Sequence, residues 1–181
     1  MRIAISGTHC VGKTTLIDEF LRAHPDFVHE PEPYTVLVED FGEEFSEEPR
    51  FEDFYRQLEF NIERLKQHTR EERVIYERCP VDFLAYICVL DFISAESMLK
   101  QVRESIQHLD LIVYLPLDHD DNNVEAEYPK LRKAVDRRLS AIFREDEFGI
   151  TTSSDVVVAE ASGPTAQRLH LIEDIIHGLH R

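Results

Sequence analysis

Residues 7–14 read Gly-Thr-His-Cys-Val-Gly-Lys-Thr, which is the G-x-x-x-x-G-K-T pattern of a phosphate-binding loop. Its glycines allow consecutive backbone N–H groups to face one cavity and bind phosphate oxygens. Lys13 can bridge the β- and γ-phosphates of a nucleotide, and the Thr14 hydroxyl can ligate Mg²⁺. The loop is therefore predicted to bind a nucleoside triphosphate through a run of nine residues, Gly7, Thr8, His9, Cys10, Val11, Gly12, Lys13, Thr14 and Thr15.

The flanking sequence supports this interpretation over a glycine-rich turn with a chance Lys-Thr pair. Residues 2–6 before the loop are short and apolar, as in a buried strand, and residues 15–21 after it place apolar side chains on one helical face. A strand followed by the loop and a helix is the context in which the motif binds phosphate.

Acidic and basic residues follow two further predicted strands. Glu30 and Glu32 come after the strand at 27–29, and Glu77 and Arg78 come after the strand at 74–76. Carboxyl ends of parallel strands meet at one edge of a sheet, so we expect these groups beside the phosphate loop. There, Glu77 would bind Mg²⁺ directly or through water. Either Glu30 or Glu32 could accept a proton from an acceptor hydroxyl.

Arg78 follows Glu77 directly, just before a predicted helix. Its guanidinium can stabilise charge on a transferring phosphoryl group or hold the acceptor. A structural ion pair at the end of the strand is the alternative interpretation of the Glu77-Arg78 pair.

Strands and helices alternate along the rest of the chain. Further strands are predicted at 109–115 and 156–159, and helices from the phosphate loop to about 24, at 49–69, 81–90, 95–108 and 130–145, and ending near 179. The two prolines of residues 30–34 predict a turn, and the acidic stretch 39–53 a solvated loop or mobile flap. The alternation predicts one α/β domain, residues 1–181, with a parallel sheet covered on both faces.

Composition limits the partners. The net charge of −16 disfavours nonspecific binding to a nucleic acid polymer or an anionic membrane. No apolar run is long enough for a membrane span, and no signal peptide is evident. Cys10, Cys79 and Cys88 have neither disulfide-framework nor zinc spacing, so we expect reduced thiols and a cytoplasmic protein.

Two other motifs are rejected, and a third is absent from the sequence. Residues 118–129 fit the first ligand positions of a calcium loop but lack its turn glycine and final glutamate. The Asp-Phe-Gly at 40–42 spells the magnesium triad of protein kinases, yet no His-Arg-Asp loop is present. The guanine-recognition motif Asn-Lys-x-Asp does not occur in the sequence.

The phosphate loop and the two strand-end motifs resemble the nucleoside/nucleotide-kinase branch of the P-loop proteins, which includes deoxynucleoside and thymidylate kinases. The chain is most similar to small AAA-type ATP-binding proteins related to nicotinamide-ribonucleoside kinase. The residues that carry the resemblance beyond the loop are Glu30-Pro31 and Glu77-Arg78, followed by Pro80, Asp82, Ala85 and Tyr86. It implies a three-layer P-loop NTPase sandwich, with a five-stranded parallel sheet in the order 2-3-1-4-5 and a lid at about 116–145.

The resemblance also implies roles for particular residues. Glu30 would be the general base, and Arg78 would contact the acceptor. Gln57 would recognise the nucleobase of the acceptor, although a glutamine on a helix is more commonly a solvated residue. Residues 162–165 would contact adenine, with Arg168 stacking nearby. A lid arginine would close over the phosphates, and we expect this to be Arg138, at the edge of the buried seam of helix 130–145.

Two departures from the family leave alternatives open. The lid arginines, Arg132, Arg137 and Arg138, are more widely spaced than in deoxynucleoside kinases, and the Glu30-Pro31-Glu32-Pro33 repeat offers two candidate bases. We expect ATP- and Mg²⁺-dependent phosphoryl transfer to a nucleoside, nucleotide or related metabolite. The alternative is a regulatory ATPase or switch that acts with a protein partner. A homodimer is left open.

Overall fold

The computed structural model describes residues 1–117 and 126–179. In these residues the strands are β1 (Arg2–Ser6), β2 (Val28–Glu30), β3 (Val74–Glu77), β4 (Leu111–Tyr114) and β5 (Val157–Glu160). The α-helices are α1 (Lys13–Ala23), α2 (Pro33–Glu39), α3 (Phe51–Gln67), α4 (Pro80–Leu90), α5 (Phe92–Ile106), α6 (Pro129–Glu145) and α7 (Thr165–Leu179).

The five strands form one parallel sheet in the order β2-β3-β1-β4-β5, which confirms the predicted fold class and strand order. β1 lies at the centre, with Ile5 opposite Glu77 of β3 on one side and Val113 of β4 on the other. The phosphate loop therefore follows the central strand, and Glu77 is the last residue of the strand beside it.

Alternating residues of β1 divide the core into two layers. Ile3 and Ile5 pack in the cluster that contains the buried faces of α1 and α7, while Ala4 packs with α3, α4, α5 and α6. This is the period of two expected of a strand that is buried on both faces. The result is the helix–sheet–helix arrangement of a three-layer sandwich.

The segment after β2 differs from the sequence expectation. A turn was predicted over residues 30–34, but α2 begins at Pro33 and continues to Glu39. Proline is tolerated in the first turn of a helix because its missing N–H would have no partner there. Residues 40–50 form no helix or strand, yet Arg56 pairs with Glu43 at 2.6 Å and the rings of Tyr34 and Phe45 lie 5.1 Å apart. This acidic connection is therefore packed against α2 and α3.

The polar loop at 118–123 and its rejected calcium site lie outside the described residues, as does the first part of the predicted lid. Its second part is α6. Among helices within residues 1–117 and 126–179, none is long and apolar enough to cross a membrane.

Candidate functional site

The phosphate loop joins the end of β1 to the start of α1. A Cβ on Gly7 would lie 2.7 Å from the Leu115 carbonyl oxygen, so only glycine fits there without a shift of the backbone. Gly12 has φ +85° and caps α1 in the left-handed conformation that favours glycine. The backbone conformation of the loop therefore requires glycine at position 7 and favours it at position 12.

Lys13 lies inside this loop, with only 4% of its surface exposed, and its Nζ donates a hydrogen bond to the Thr8 carbonyl oxygen at 2.8 Å. Burial, assisted by the positive charge of Arg78, lowers the pKa of Lys13 to about 8. A desolvated cation held by a single neutral carbonyl gains a strong partner when phosphate oxygens enter the loop.

The predicted metal ligands are in contact. The Thr14 hydroxyl, at the start of α1, donates to a carboxylate oxygen of Glu77 at 2.8 Å. The pair fits Mg²⁺, which takes few protein oxygens and completes its shell with waters and substrate phosphates. Within the described parts of the chain, no group of three or more His, Cys, Asp or Glu side chains could hold a metal by itself.

Arg78 connects the phosphate loop to the cavity beside it. Its Nε donates to the carboxylate of Glu32, and its NH1 donates to the Gly7 carbonyl oxygen at 3.1 Å. Its backbone is left-handed, with φ +74°, and Asn61 on α3 approaches its carbonyl oxygen at 3.5 Å. A non-glycine residue in this conformation is strained, and such strain clusters at functional sites.

The charges of Arg78 and Glu32 stabilise each other. Burial would raise the pKa of the Glu32 carboxyl, but the positive charges of Arg78 and Lys13 outweigh this effect and lower it. Burial would likewise lower the pKa of Arg78, and the negative charge of Glu32 reverses the shift. The pair is therefore ionised at neutral pH.

A cavity of about 560 Å³ borders Arg78. Its size is that of a small-molecule site. Aromatic rings form much of its wall, and the rings of Phe54 and Tyr86 stack at 4.3 Å with 10° between their planes. Gln57 also lines it, and is buried with its amide nitrogen on the Asp53 carbonyl oxygen at 3.1 Å. Carboxylates at the wall are Glu32, Glu47, Asp53 and Glu127.

The structure places Glu32, rather than Glu30, in this cavity. Glu30 ends β2 and its carboxylate pairs with Arg64 of α3 and with His68 Nε2, the latter at 2.6 Å. Glu32 lies two residues further on, at the N-cap of α2, where its carboxylate reaches Arg78. That Glu30 is the base stays a prediction, but the structure pairs its carboxylate with Arg64 and His68, and of the two candidates Glu32 is the one that lines the cavity.

The structure places Arg138, the expected lid arginine, away from the phosphate loop. Arg138 pairs with Glu147, in the turn after α6, at 2.6 Å and lies over the ring of Phe92 in α5 at 5.7 Å. Arg132, six residues earlier on α6, donates to the carbonyl oxygens of His9 and Cys10 at 2.9 and 2.8 Å. Of these two arginines, Arg132 is therefore the one that contacts the phosphate loop.

His9 links the loop to two walls of the cavity. Its Nδ1 lies 2.8 Å from the Tyr86 hydroxyl and its Nε2 lies 2.8 Å from the Glu127 carbonyl oxygen. A carbonyl only accepts, so Nε2 carries the proton and Nδ1 accepts from Tyr86. Burial is the main reason that the pKa of His9 is lowered. Tyr128, which follows Glu127, donates through its hydroxyl to the Glu47 carbonyl oxygen at 2.5 Å.

The remaining predicted residues lie at the other end of the loop. Arg168 of α7 donates through NH1 to the Val11 carbonyl oxygen at 2.7 Å and is 7% exposed. Gly163 before α7 has φ +82°, consistent with a tight turn at the expected adenine-contacting loop. Cys10 is exposed in the phosphate loop with φ +58°.

Sequence reasoning missed three polar residues of the site. Asn61 is buried on the apolar seam of α3, Asp53 stands one turn before Gln57, and Tyr86 was noted only as part of the family motif. A signal existed for Asn61, since it lies four residues after Gln57 and so on the same face of one helix.

Comparisons with known proteins agree with this geometry. Two solved structures of NadR, in complex with NR and with NAD and AMP-PNP, align with TM-scores of 0.67 and 0.69 at 17% and 18% identity. They cover 98% of this chain but 50% and 48% of their own, so the chain spans about half the length of NadR. Deoxyadenosine kinase from M. mycoides aligns with a TM-score of 0.63 at 15% identity, over 99% of this chain and 100% of its own.

At these identities the structural neighbours establish the fold, which this chain shares with NadR and with deoxyadenosine kinase. A comparison with curated protein sequences finds no significant match. A protein-family model described as an AAA domain matches residues 2–160, which is most of the chain. By its sequence and its P-loop sheet, the chain belongs to the AAA domain family.

Proposed function

We propose that this protein transfers the terminal phosphoryl group of ATP to a hydroxyl group of a nucleoside. One observation carries the proposal: Arg78 bonds both to the carbonyl oxygen of Gly7, in the phosphate loop, and to Glu32, in the adjoining cavity. A donor site and an acceptor site that share one buried arginine have the arrangement that phosphoryl transfer needs, because that reaction depends mainly on positioning and charge neutralisation.

The donor half uses residues of the loop and its neighbours. Backbone N–H groups at the start of α1 and the Lys13 ammonium would bind the phosphates of ATP, and Arg168 supports the loop from behind through Val11. Thr14 and Glu77 would hold Mg²⁺, which when bound neutralises charge on the phosphate oxygens. Arg132 already lies against the loop and would exchange its carbonyl partners for phosphate oxygens.

Glu32 would orient the acceptor hydroxyl and receive its proton as the hydroxyl oxygen bonds to the γ-phosphorus. The bond from that phosphorus to the β–γ bridging oxygen breaks, and ADP leaves. The low pKa of the Glu32 carboxyl keeps it ionised and ready to accept a hydrogen bond from the hydroxyl. A weak base suits a loose transition state, in which the proton moves late.

A nucleoside suits the cavity because flat rings and an amide line it. The stacked pair of Phe54 and Tyr86 offers a wall for a planar base, and the Gln57 amide lies in the same cavity. The neighbours support this choice, since one NadR structure holds NR and the deoxyadenosine kinase structures hold deoxynucleotides. A cavity of about 560 Å³ would be unnecessary in a switch that only hydrolyses ATP.

Other properties remain part of the proposal. We take residues 1–181 as a single domain, and the free thiols of Cys10, Cys79 and Cys88 support a reducing compartment such as the cytoplasm.

The test is a screen for acceptors. Purified protein with Mg²⁺-ATP is incubated with nicotinamide riboside, the common ribo- and deoxyribonucleosides and their monophosphates, and products are identified by mass spectrometry. We expect at least one nucleoside to be phosphorylated well above the rate of ATP hydrolysis without an acceptor. ADP formation at an equal rate with every compound, or stimulation only by a protein partner, would instead favour the regulatory ATPase.

A further inference from the structure

Asp82 is a fully buried carboxylate that the proposed reaction does not use. It lies in the first turn of α4, 0% exposed, directly below the phosphate loop. One oxygen, Oδ1, accepts hydrogen bonds from the Ser6 hydroxyl at 3.0 Å and from the Gly7 backbone N–H at 2.7 Å. The other, Oδ2, accepts from the Cys79 backbone N–H at 2.8 Å.

The three donors belong to two separate segments. Ser6 and Gly7 end β1 and open the phosphate loop, whereas Cys79 follows the strained residue Arg78. The Arg78 guanidinium lies 4.0 Å from Oδ1 and also donates to the Gly7 carbonyl oxygen. Asp82 therefore holds the N–H of Gly7 while Arg78 holds its C=O, so the first residue of the loop is bound from both sides.

Helix capping alone does not account for this arrangement. A side chain at the third position of a helix needs one oxygen for the N-cap N–H, which here is that of Cys79. Asp82 commits its second oxygen to Ser6 and Gly7, 76 and 75 residues away, at the cost of burying a charge. That cost is offset by three donors and a nearby cation, all of which lie at the proposed site.

We propose that Asp82 is a positioning residue, which fixes the opening of the phosphate loop and the Arg78 turn at one separation. The inference rests on the proposed function only where it concerns kcat with an acceptor. Where it concerns the affinity for the nucleotide, it does not depend on the acceptor. An acceptor-only carboxylate satisfies all three donors, while an asparagine amide must turn its NH₂ toward at least one of them.

The test compares Asp82→Asn with a matched control, Asp146→Asn. Asp146 also accepts a backbone N–H and a hydroxyl on one oxygen, both from Thr151, but it lies at the end of α6. Two readouts are taken on folded protein. One is the Kd of Mg²⁺-AMP-PNP by calorimetry, and the other is kcat with the acceptor that the screen identifies.

For Asp82→Asn we expect the AMP-PNP Kd to rise roughly tenfold and kcat at saturating substrates to fall roughly 10- to 100-fold. For Asp146→Asn we expect both to match wild type even if its Tm falls. If Asp82→Asn lowers Tm while Kd and kcat stay at wild-type values, the residue is only a helix cap and the inference is overturned.

Two further outcomes are distinguishable. If wild type phosphorylates no nucleoside, the proposed function fails, and the AMP-PNP affinity alone decides for or against Asp82. If Asp82→Asn does not fold, Ser6→Ala removes one donor and leaves the carboxylate and the cap in place. We then expect a rise in Kd of roughly two- to fivefold, and an unchanged Kd overturns the inference.

Discussion

Replacing Glu32 with glutamine removes the proposed base while keeping the shape of the side chain. The amide oxygen of glutamine can still accept from Arg78, but it cannot take a proton from an acceptor hydroxyl. Loss of a general base typically costs 10²- to 10⁴-fold in rate, so we expect kcat to fall by roughly that factor.

The cost in stability follows from burial. The side chain of Arg78 is 5% exposed and that of Glu32 is 27% exposed, so the pair is neither fully dry nor fully solvated. Breaking a wholly buried pair costs about 3–5 kcal/mol, and an exposed one less than about 1 kcal/mol. Because Arg78 keeps its bond to Gly7, we expect the free energy of unfolding to fall by about 1–3 kcal/mol.

Glu30→Gln is the matched control, because Glu30 is 18% exposed and pairs with Arg64, which is 8% exposed. It should lose a similar amount of stability and retain kcat. The assay measures acceptor-dependent ADP formation at saturating ATP, with chemical denaturation to report stability. Equal losses of kcat in the two variants, or a larger loss in Glu30→Gln, would refute the assignment of Glu32 as base.

Three further predictions concern the donor half. Arg132→Ala should lower kcat by roughly 10²- to 10³-fold, as for loss of a donor that stabilises transition-state charge, while Arg138→Ala keeps kcat within about twofold in the same assay. Lys13, with a pKa of about 8, is half deprotonated at pH 8. Because the phosphates of ATP favour the charged form of Lys13, binding at this pH should take up roughly half a proton. Calorimetry in buffers of different ionisation enthalpy measures this uptake. Uptake should vanish near pH 6.5. Gly7→Ala should destabilise the fold by roughly 2 kcal/mol or more in denaturant unfolding, because its Cβ would meet the backbone oxygen of Leu115.

The phosphate loop could be predicted from the sequence because its chemistry is local. Glycine and lysine at fixed spacing determine which backbone conformations and which charge the loop can have, and the observed Gly7, Gly12 and Lys13 geometry follows from that. The alternation of strands with helices predicted a parallel sheet covered on both faces, and the strand order was implied by the family resemblance.

The choice among neighbouring charged residues could not be predicted, because it depends on which element packs against each. Arg132 and Arg138 differ by six positions, or about 120° around α6, and apolar periodicity does not say which face meets the phosphate loop. From the sequence, Glu30 and Glu32 were both candidates for the base. In the structure, the carboxylate of Glu30 pairs with Arg64 of α3 and with His68. These contacts join residues far apart in sequence.

The central place of β1 in the sheet has a consequence for the order of events during synthesis. Residues 2–6 leave the ribosome before their strand partners at 74–77 and 111–114. Until then β1 has no neighbour on either side, and the loop after it lacks Glu77, Arg78 and the Leu115 backbone that confine it. Because such long-range pairing must precede a formed loop, we expect that ATP cannot act as a folding template for a nascent segment that ends before β3. A chain released before β4 would carry the complete sequence motif and no nucleotide site.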